Sequence, residues 1–214
     1  MSNRSQLVGY GLVLAGSTMF AFKAIFIKLA YQGVPDALLM LVWRMIFALP
    51  LFLAAGLYAL WRPDGMERVR QSPRRVLQAA AAGFIGYYLA MILDFEGLVR
   101  VSAQLERLTL FTYPIFVFAL GALFFRMKLT LGHAISAAVT YAGLACVFIS
   151  DMKTAGSNVP LGTLLVLGSA LSFALYQLLA KPLIGALGSS LFTSIALASA
   201  AIASILHFIL MRGF

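Results

Sequence analysis

The stretch from Leu12 to Lys28 reads LVLAGSTMFAFKAIFIK, an apolar run that contains two lysines. With its neighbours it reaches the roughly 20 residues that a helix needs to cross the hydrocarbon core of a bilayer. A charge in that core costs at least about 2.5–3.5 kcal/mol unless it is paired or reaches the interface. Lys28 lies close enough to the end of the run to reach the interface. Lys23 does not, and no acidic residue is evident at its depth, so we expect it either to pair within a helix bundle or to bind a substrate.

The composition of the chain indicates a membrane protein. Its 214 residues are 62% hydrophobic and 11% charged, and the mean hydropathy is +0.96. Soluble domains carry about 45–50% apolar and about 25% charged residues. The net charge of +9 is concentrated in the short loop 62–75 between two apolar runs, as in the cytoplasmic loops of membrane proteins. We therefore expect the chain to contact membrane lipid and a small molecule, and not nucleic acid.

Seven apolar runs predict an all-α fold, a polytopic membrane helix bundle. They cover residues 8–31, 36–61, 76–99, 103–125, 131–150, 161–181 and 189–211. Lysine and arginine are more frequent on the side that holds the N-terminus and the 62–75 loop. The positive-inside rule makes this side cytoplasmic, so we expect a multi-pass protein of the plasma membrane (a bacterial inner membrane) with its N-terminus inside.

Two segments of the chain are similar to each other. GYGLVLAGSTMFAFKAIFIK at 9–28 aligns without a gap with GTLLVLGSALSFALYQLLAK at 162–181, and the glycines and lysines at the two ends coincide. Five spans separate the two starts, so the second copy would enter the membrane from the opposite face. Inverted repeats are a common plan of secondary transporters. Residues 1–150 then form a first five-helix repeat, and residues 151–214 form the truncated start of a second, with seven spans of an expected ten.

Charged and polar side chains inside the spans give a candidate substrate site. With the N-terminus inside and a rise of about 1.5 Å per residue, the charged groups fall in the outer half of the membrane. There the carboxylates would neutralise the cations in a charged vestibule. Aromatic side chains could line a cavity or belong to the core and interface belt. The predicted substrate-binding residues are Lys23, Arg44, Tyr88, Asp94, Glu106, Arg107, Tyr113, Tyr176 and Gln177.

Helix breakers and small residues add local expectations. Pro50 and Pro114 each lie near the middle of a span, where proline removes a backbone hydrogen bond and tends to kink the helix. Gly83-x-x-Gly86 and Gly16-Ser17 predict close approach of neighbouring helices.

Motifs of catalysis are absent from the sequence. The two histidines lie on separate spans, and no HExxH pair, phosphate-binding Walker loop or GxSxG elbow is found. We therefore predict no catalytic residue, no metal site and no cofactor.

The segment 102–130, SAQLERLTLFTYPIFVFALGALFFRMKLT, resembles the third-to-fifth helix region of the EamA-type transporters, which belong to the drug/metabolite transporter superfamily. The first helix and LVWRMIFALP at 41–50, with its Arg44, resemble that family as well, and 162–214 resembles the start of its second repeat. The resemblance implies ten helices in two inverted halves around a central cavity. It also implies transport of amino acids, other small metabolites, sugars or drugs. One departure is Met127, where such proteins often have glutamate.

The function expected from these features is secondary transport by alternating access. The chain would export small polar or zwitterionic, amino-acid-like metabolites or drugs, with Lys23 and Arg44 receiving an anionic group. A membrane-embedded transferase-type enzyme and an inactive fragment of a transporter are the alternatives. Assembly as a homodimer is left open.

Overall fold

The computed structural model describes residues 3–62, 64–125, 130–155 and 158–213, and these ranges are helical apart from short connections. In chain order the described helices are α1 (Asn3–Tyr31), α2 (Ala37–Trp61), α3 (Gly65–Gln71), α4 (Pro73–Gly83), a π-helical segment (Phe84–Leu89), α5 (Ala90–Arg100), α6 (Ala103–Leu110), α7 (Tyr113–Phe125), α8 (Leu131–Ala155), α9 (Val159–Leu187) and α10 (Ser189–Arg212).

Seven stretches of these helices are long and apolar enough to cross a membrane. They are Gly9–Tyr31, Ala37–Trp61, Pro73–Arg100, Ala103–Phe124, Ala134–Lys153, Val159–Leu187 and Ser189–Arg212. The predicted all-α class and the seven predicted spans are therefore confirmed. Met127, the residue at which the sequence departs from the family pattern, lies outside the described residues.

Local sequence explains where several helices begin. The Asp36 side chain accepts a hydrogen bond from the Leu39 amide at 3.0 Å, and Ser102 accepts one from the Leu105 amide at 3.0 Å. Each bond satisfies an amide that the first turn of a helix leaves without a partner. Gly188 joins α9 to α10 with a φ of +83°, a backbone conformation that side chains with a Cβ rarely adopt.

The third span changes its helix type halfway. It begins as α4, widens into the π-helical segment 84–89 and continues as α5. The sequence predicted one regular helix here. Gly83 and Gly86 allow the close contacts that were predicted, because a Cβ on Gly83 would overlap the backbone of Ala196 and one on Gly86 would overlap the Tyr176 ring. At Gly16 the described residues show no such contact, because a Cβ there would meet none of their atoms within 4 Å.

The fourth span is broken in its middle. α6 ends at Leu110 and α7 begins at Tyr113, and between them the Thr112 hydroxyl donates to the Thr109 carbonyl at 2.7 Å. Pro114 has no amide proton for the carbonyl of Leu110, four residues earlier, so the helix cannot continue regularly. The predicted distortion at Pro114 is thus a break between two helices. By contrast, α2 runs through Pro50 as one helix.

The last two helices pack deeply against the earlier ones. α9 lies against α4, α5, α6 and α7, and α10 lies against α2 and α4. α1 contacts α5 and α6 and is the least buried of the seven spans, whereas α9 is the most buried. The two-domain division and the inverted relation of the repeats stay predictions.

Candidate functional site

A cavity of about 530 Å³ lies where α1, α2, α5, α7 and α9 come together. Its lining residues are Gly16, Ser17, Lys23, Arg44, Gly86, Ala90, Met91, Asp94, Leu110, Phe111, Tyr113, Ser169, Phe173 and Gln177. Small-molecule sites in proteins typically enclose about 300–1,000 Å³, with mostly apolar walls and a few polar groups. The cavity therefore has the size and lining of a site for a small metabolite.

A buried cluster of four charged groups borders this cavity. The Lys23 ammonium donates to Oδ2 of Asp94, and its Nζ lies 3.4 Å from Oε1 of Glu106. Oε2 of the same glutamate lies 3.6 Å from Nε of Arg107. Glu106 is fully buried and Asp94 is 2% exposed. The cluster joins two basic and two acidic side chains, and the pairing of opposite charges lowers the cost of burying them together.

This cluster corrects the expectation that Lys23 has no acidic neighbour. Its partners come from α5 and α6, and the first of them is 71 residues away in sequence. Lys28, on the same helix, lies instead at a second cavity of about 510 Å³, which Arg100 and Asp151 also line. There the Ser102 amide donates to Oδ2 of Asp151 at 2.8 Å.

Arg44 lies on α2 and lines the same 530 Å³ cavity, and no carboxylate of the described residues forms an ion pair with it. Its guanidinium carbon lies 5.9 Å from the centre of the Phe95 ring, and Nζ of Lys23 lies 5.7 Å from the same ring. Among the described residues its guanidinium forms no hydrogen bond or ion pair within 4 Å. Arg44 therefore brings to the cavity a positive charge that no carboxylate of the described residues binds within 4 Å.

Asp94 carries an unused acceptor beside this charge. Its Oδ2 binds Lys23, but its Oδ1 is buried and has no hydrogen-bond partner in the described part of the chain. A buried acceptor without a partner costs about 1–3 kcal/mol, and more when it is charged. Arg44 and Asp94 both line the cavity, so a ligand with groups of both signs would find a partner of opposite charge for each group.

Aromatic rings form the apolar part of the cavity. Tyr113 and Phe173 meet edge to face with ring centres 5.3 Å apart, and Phe111 contributes a third ring. These side chains come from the broken fourth span and from α9. They can hold an apolar or aromatic side chain of a ligand by packing.

The structure brings together some of the predicted site residues and separates others. Five of them line the cavity: Lys23, Arg44, Asp94, Tyr113 and Gln177. Glu106 lies next to Lys23 and Arg107 lies next to Glu106, and neither lines the cavity. Tyr88 and Tyr176 are not among its lining residues. The Tyr88 hydroxyl lies 2.8 Å from Nδ1 of His207, and Tyr176 donates to the Tyr87 hydroxyl at 3.1 Å.

Several lining residues were missed by the sequence analysis, and one signal could have found two of them. Ser169 and Phe173 precede Gln177 by eight and four residues, so all three lie on one face of α9. Met91 gave no such signal, because nothing in an apolar run tells which side of the helix faces a cavity. No group of three or more metal-ligating side chains occurs in residues 3–62, 64–125, 130–155 and 158–213.

Seven helices long and apolar enough to cross a membrane, with charged and aromatic side chains lining a cavity, define a polytopic membrane protein. The chain belongs to the EamA-like transporter family, whose family model matches residues 7–149. It is also 32% identical over 213 residues to the uncharacterized transporter YcbK of Bacillus subtilis (strain 168), an alignment that covers 95% of this chain. The chain spans 64% of the length of that relative. No solved structure matches the chain. The resemblance found in the sequence is confirmed.

Proposed function

We propose that the chain acts in the secondary transport of a small zwitterionic, amino-acid-like metabolite, which binds in the 530 Å³ cavity. The observation that carries this proposal is that Arg44 and Asp94, two side chains of opposite charge, line one cavity. Family membership supports a membrane transporter in general, and the cavity chemistry supports the substrate class.

Each end of a zwitterion has a suitable partner in the cavity. The planar guanidinium of Arg44 can bind a carboxylate through two parallel hydrogen bonds. The carboxylate of Asp94 can accept a hydrogen bond from an ammonium group. Phe111, Tyr113 and Phe173 would then pack against the side chain of the ligand. This assignment gives the anionic group to Arg44 and not to Lys23, because Lys23 already binds two carboxylates.

The proposed direction is export, with the N-terminus in the cytoplasm of a bacterial cell. The concentration of positive charge in the 62–75 loop supports this orientation. Broken helices next to a cavity are typical of secondary transporters. The fourth span is broken between α6 and α7, next to the cavity-lining residue Tyr113. Alternating access would involve two inverted units, the second beginning near residue 151.

The test uses three ligands that differ in charge and share a phenyl group. L-Phenylalanine carries both charges, phenethylamine carries only the ammonium, and 3-phenylpropionate carries only the carboxylate. Binding is measured on the purified chain in lipid nanodiscs, and flux of L-phenylalanine is measured in proteoliposomes. We expect the zwitterion to bind more tightly than either analogue and to cross the membrane.

Asp94→Asn supplies the key variant and Glu96→Gln its matched control. Glu96 is on the same helix but pairs with Arg100 at 2.7 Å and does not line the cavity. Asp94→Asn should weaken the binding of L-phenylalanine and of phenethylamine, and Glu96→Gln should leave both unchanged. Absence of binding and flux for all three ligands, or equal effects of the two variants, would exclude the proposed site.

A further inference from the structure

We propose that Lys23 is a tethered competitor of the substrate for Asp94. Its ammonium donates to Oδ2 of Asp94, and a substrate ammonium would displace it towards Glu106. This inference rests on the proposed function, since it assigns a specificity-determining role to a residue of the same cavity. Only a substrate that carries an ammonium group would then release Lys23 from Asp94.

Lys23 lies between two carboxylates, and only one of the two residues lines the cavity. Lys23 and Asp94 both line the cavity, whereas Glu106 is fully buried and does not. A ligand in the cavity can therefore reach Asp94 but not Glu106. Nζ of Lys23 reaches both, since it donates to Asp94 and lies 3.4 Å from Oε1 of Glu106.

Displacement costs little because the second partner is already in place. A lysine ammonium is a point charge on a flexible four-carbon stem, so it can move between neighbouring oxygens without a change in backbone. Moving Lys23 fully to Glu106 keeps its charge paired inside the bundle. A substrate ammonium on Asp94 replaces the charge that leaves, so the Asp94 carboxylate stays paired as well.

The displacement also changes which helix α1 is tied to. Among the described side chains of α1, those of Ala24 and Tyr31 are the buried ones, and Tyr31 donates to the Phe95 carbonyl at 3.1 Å. With so little packing, the ion pairs of Lys23 are a large part of how α1 is attached. Substrate binding would shift that attachment from α5, which carries Asp94, to α6, which carries Glu106.

The experiment compares Lys23→Gln with Lys28→Gln, the same change at the other lysine of α1. Dissociation constants for phenethylamine and 3-phenylpropionate are measured on the purified full chain in nanodiscs. A general effect on folding changes both constants by the same factor, so it leaves their ratio unchanged. Without its competitor, Asp94 should bind phenethylamine more tightly relative to 3-phenylpropionate, by about tenfold to a hundredfold. Lys28→Gln should leave the ratio unchanged.

Lys23→Arg is a second variant that tests the same inference if Lys23→Gln does not fold. Arginine presents a planar fork that holds carboxylates through more than one hydrogen bond, so it should compete more strongly and shift the ratio against phenethylamine. An unchanged ratio in the variants, or a selective loss of 3-phenylpropionate binding in Lys23→Gln, would overturn the inference while leaving the site in place. Wild-type protein that binds none of the ligands would overturn both the site and the inference.

Discussion

The contact between α5 and α9 depends on a glycine whose replacement should have a measurable cost. A Cβ added to Gly97 would lie 2.5 Å from Cγ2 of Val166 and 2.9 Å from the carbonyl oxygen of Gly162. Carbon atoms in contact are normally about 3.5–4.0 Å apart, so the two helices would have to separate by about 1 Å. Valine has a stiff side chain and the oxygen belongs to the backbone, so neither neighbour can turn away.

We expect Gly97→Ala to lower stability by about 1–2 kcal/mol. Overpacking a well-packed contact lowers stability by about 1–3 kcal/mol, and the better helix propensity of alanine offsets up to about 1 kcal/mol of this loss. For a chain of this length such a loss lowers the unfolding midpoint by about 2–8 °C. The assay is thermal unfolding of the purified protein, followed by fluorescence-detected size-exclusion chromatography.

Gly143→Ala is the control, because a Cβ there would meet no atom within 4 Å. It should leave the midpoint unchanged or raise it slightly through helix propensity. Gly97 lies one turn after Asp94 on α5, so Gly97→Ala should also weaken L-phenylalanine binding, and Gly143→Ala should not. If Gly97→Ala were as stable as Gly143→Ala, the close contact between α5 and α9 would be refuted.

Three further changes test other parts of the structure. Arg44→Gln should weaken the binding of 3-phenylpropionate in nanodiscs by about tenfold to a hundredfold, because it removes a hydrogen bond between two charged groups. It should leave the binding of phenethylamine unchanged. Equal losses for both ligands would contradict the role of Arg44 as the carboxylate partner. Gly188→Ala should lower the unfolding midpoint, because a φ of +83° costs other residues about 1–3 kcal/mol. An unchanged midpoint would show that this turn has another conformation. Tyr88→Phe should cost about 0.5–1.5 kcal/mol of stability through the lost bond to His207 and leave ligand affinity unchanged. A loss of ligand binding would place Tyr88 in the site after all.

The seven spans could be predicted because hydrocarbon leaves the backbone no alternative to the helix. Length and apolarity alone then locate the span ends to within about three residues, except that the sixth span continues past its predicted end at 181 to Leu187. The same apolarity hides the packing, since a helix that is apolar all round gives no periodic signal of its buried face. For this reason the placement of Tyr88 and Tyr176 away from the cavity could not be predicted.

The charged residues of the site could be identified from the sequence, but their partners could not. Lys23, Asp94 and Glu106 are conspicuous because charges are rare within spans. Which of them meet depends on how α1 lies against α5 and α6, and that depends on packing between helices far apart in sequence. The break at Pro114 had a local cause and was foreseen as a distortion. The π-helical segment had no sequence signal that we recognised.

The π-helical segment gives the third span a place that can absorb a change in residue count. A π turn contains one residue more than an α turn, although both complete about one full rotation of the chain. Deleting one residue from 84–89 would therefore turn the segment into a regular α-helix and leave Asp94 at nearly the same angle relative to Gly83, which packs on α10. Relatives whose third span is one residue shorter here, and α-helical throughout, should therefore still present this carboxylate to the cavity.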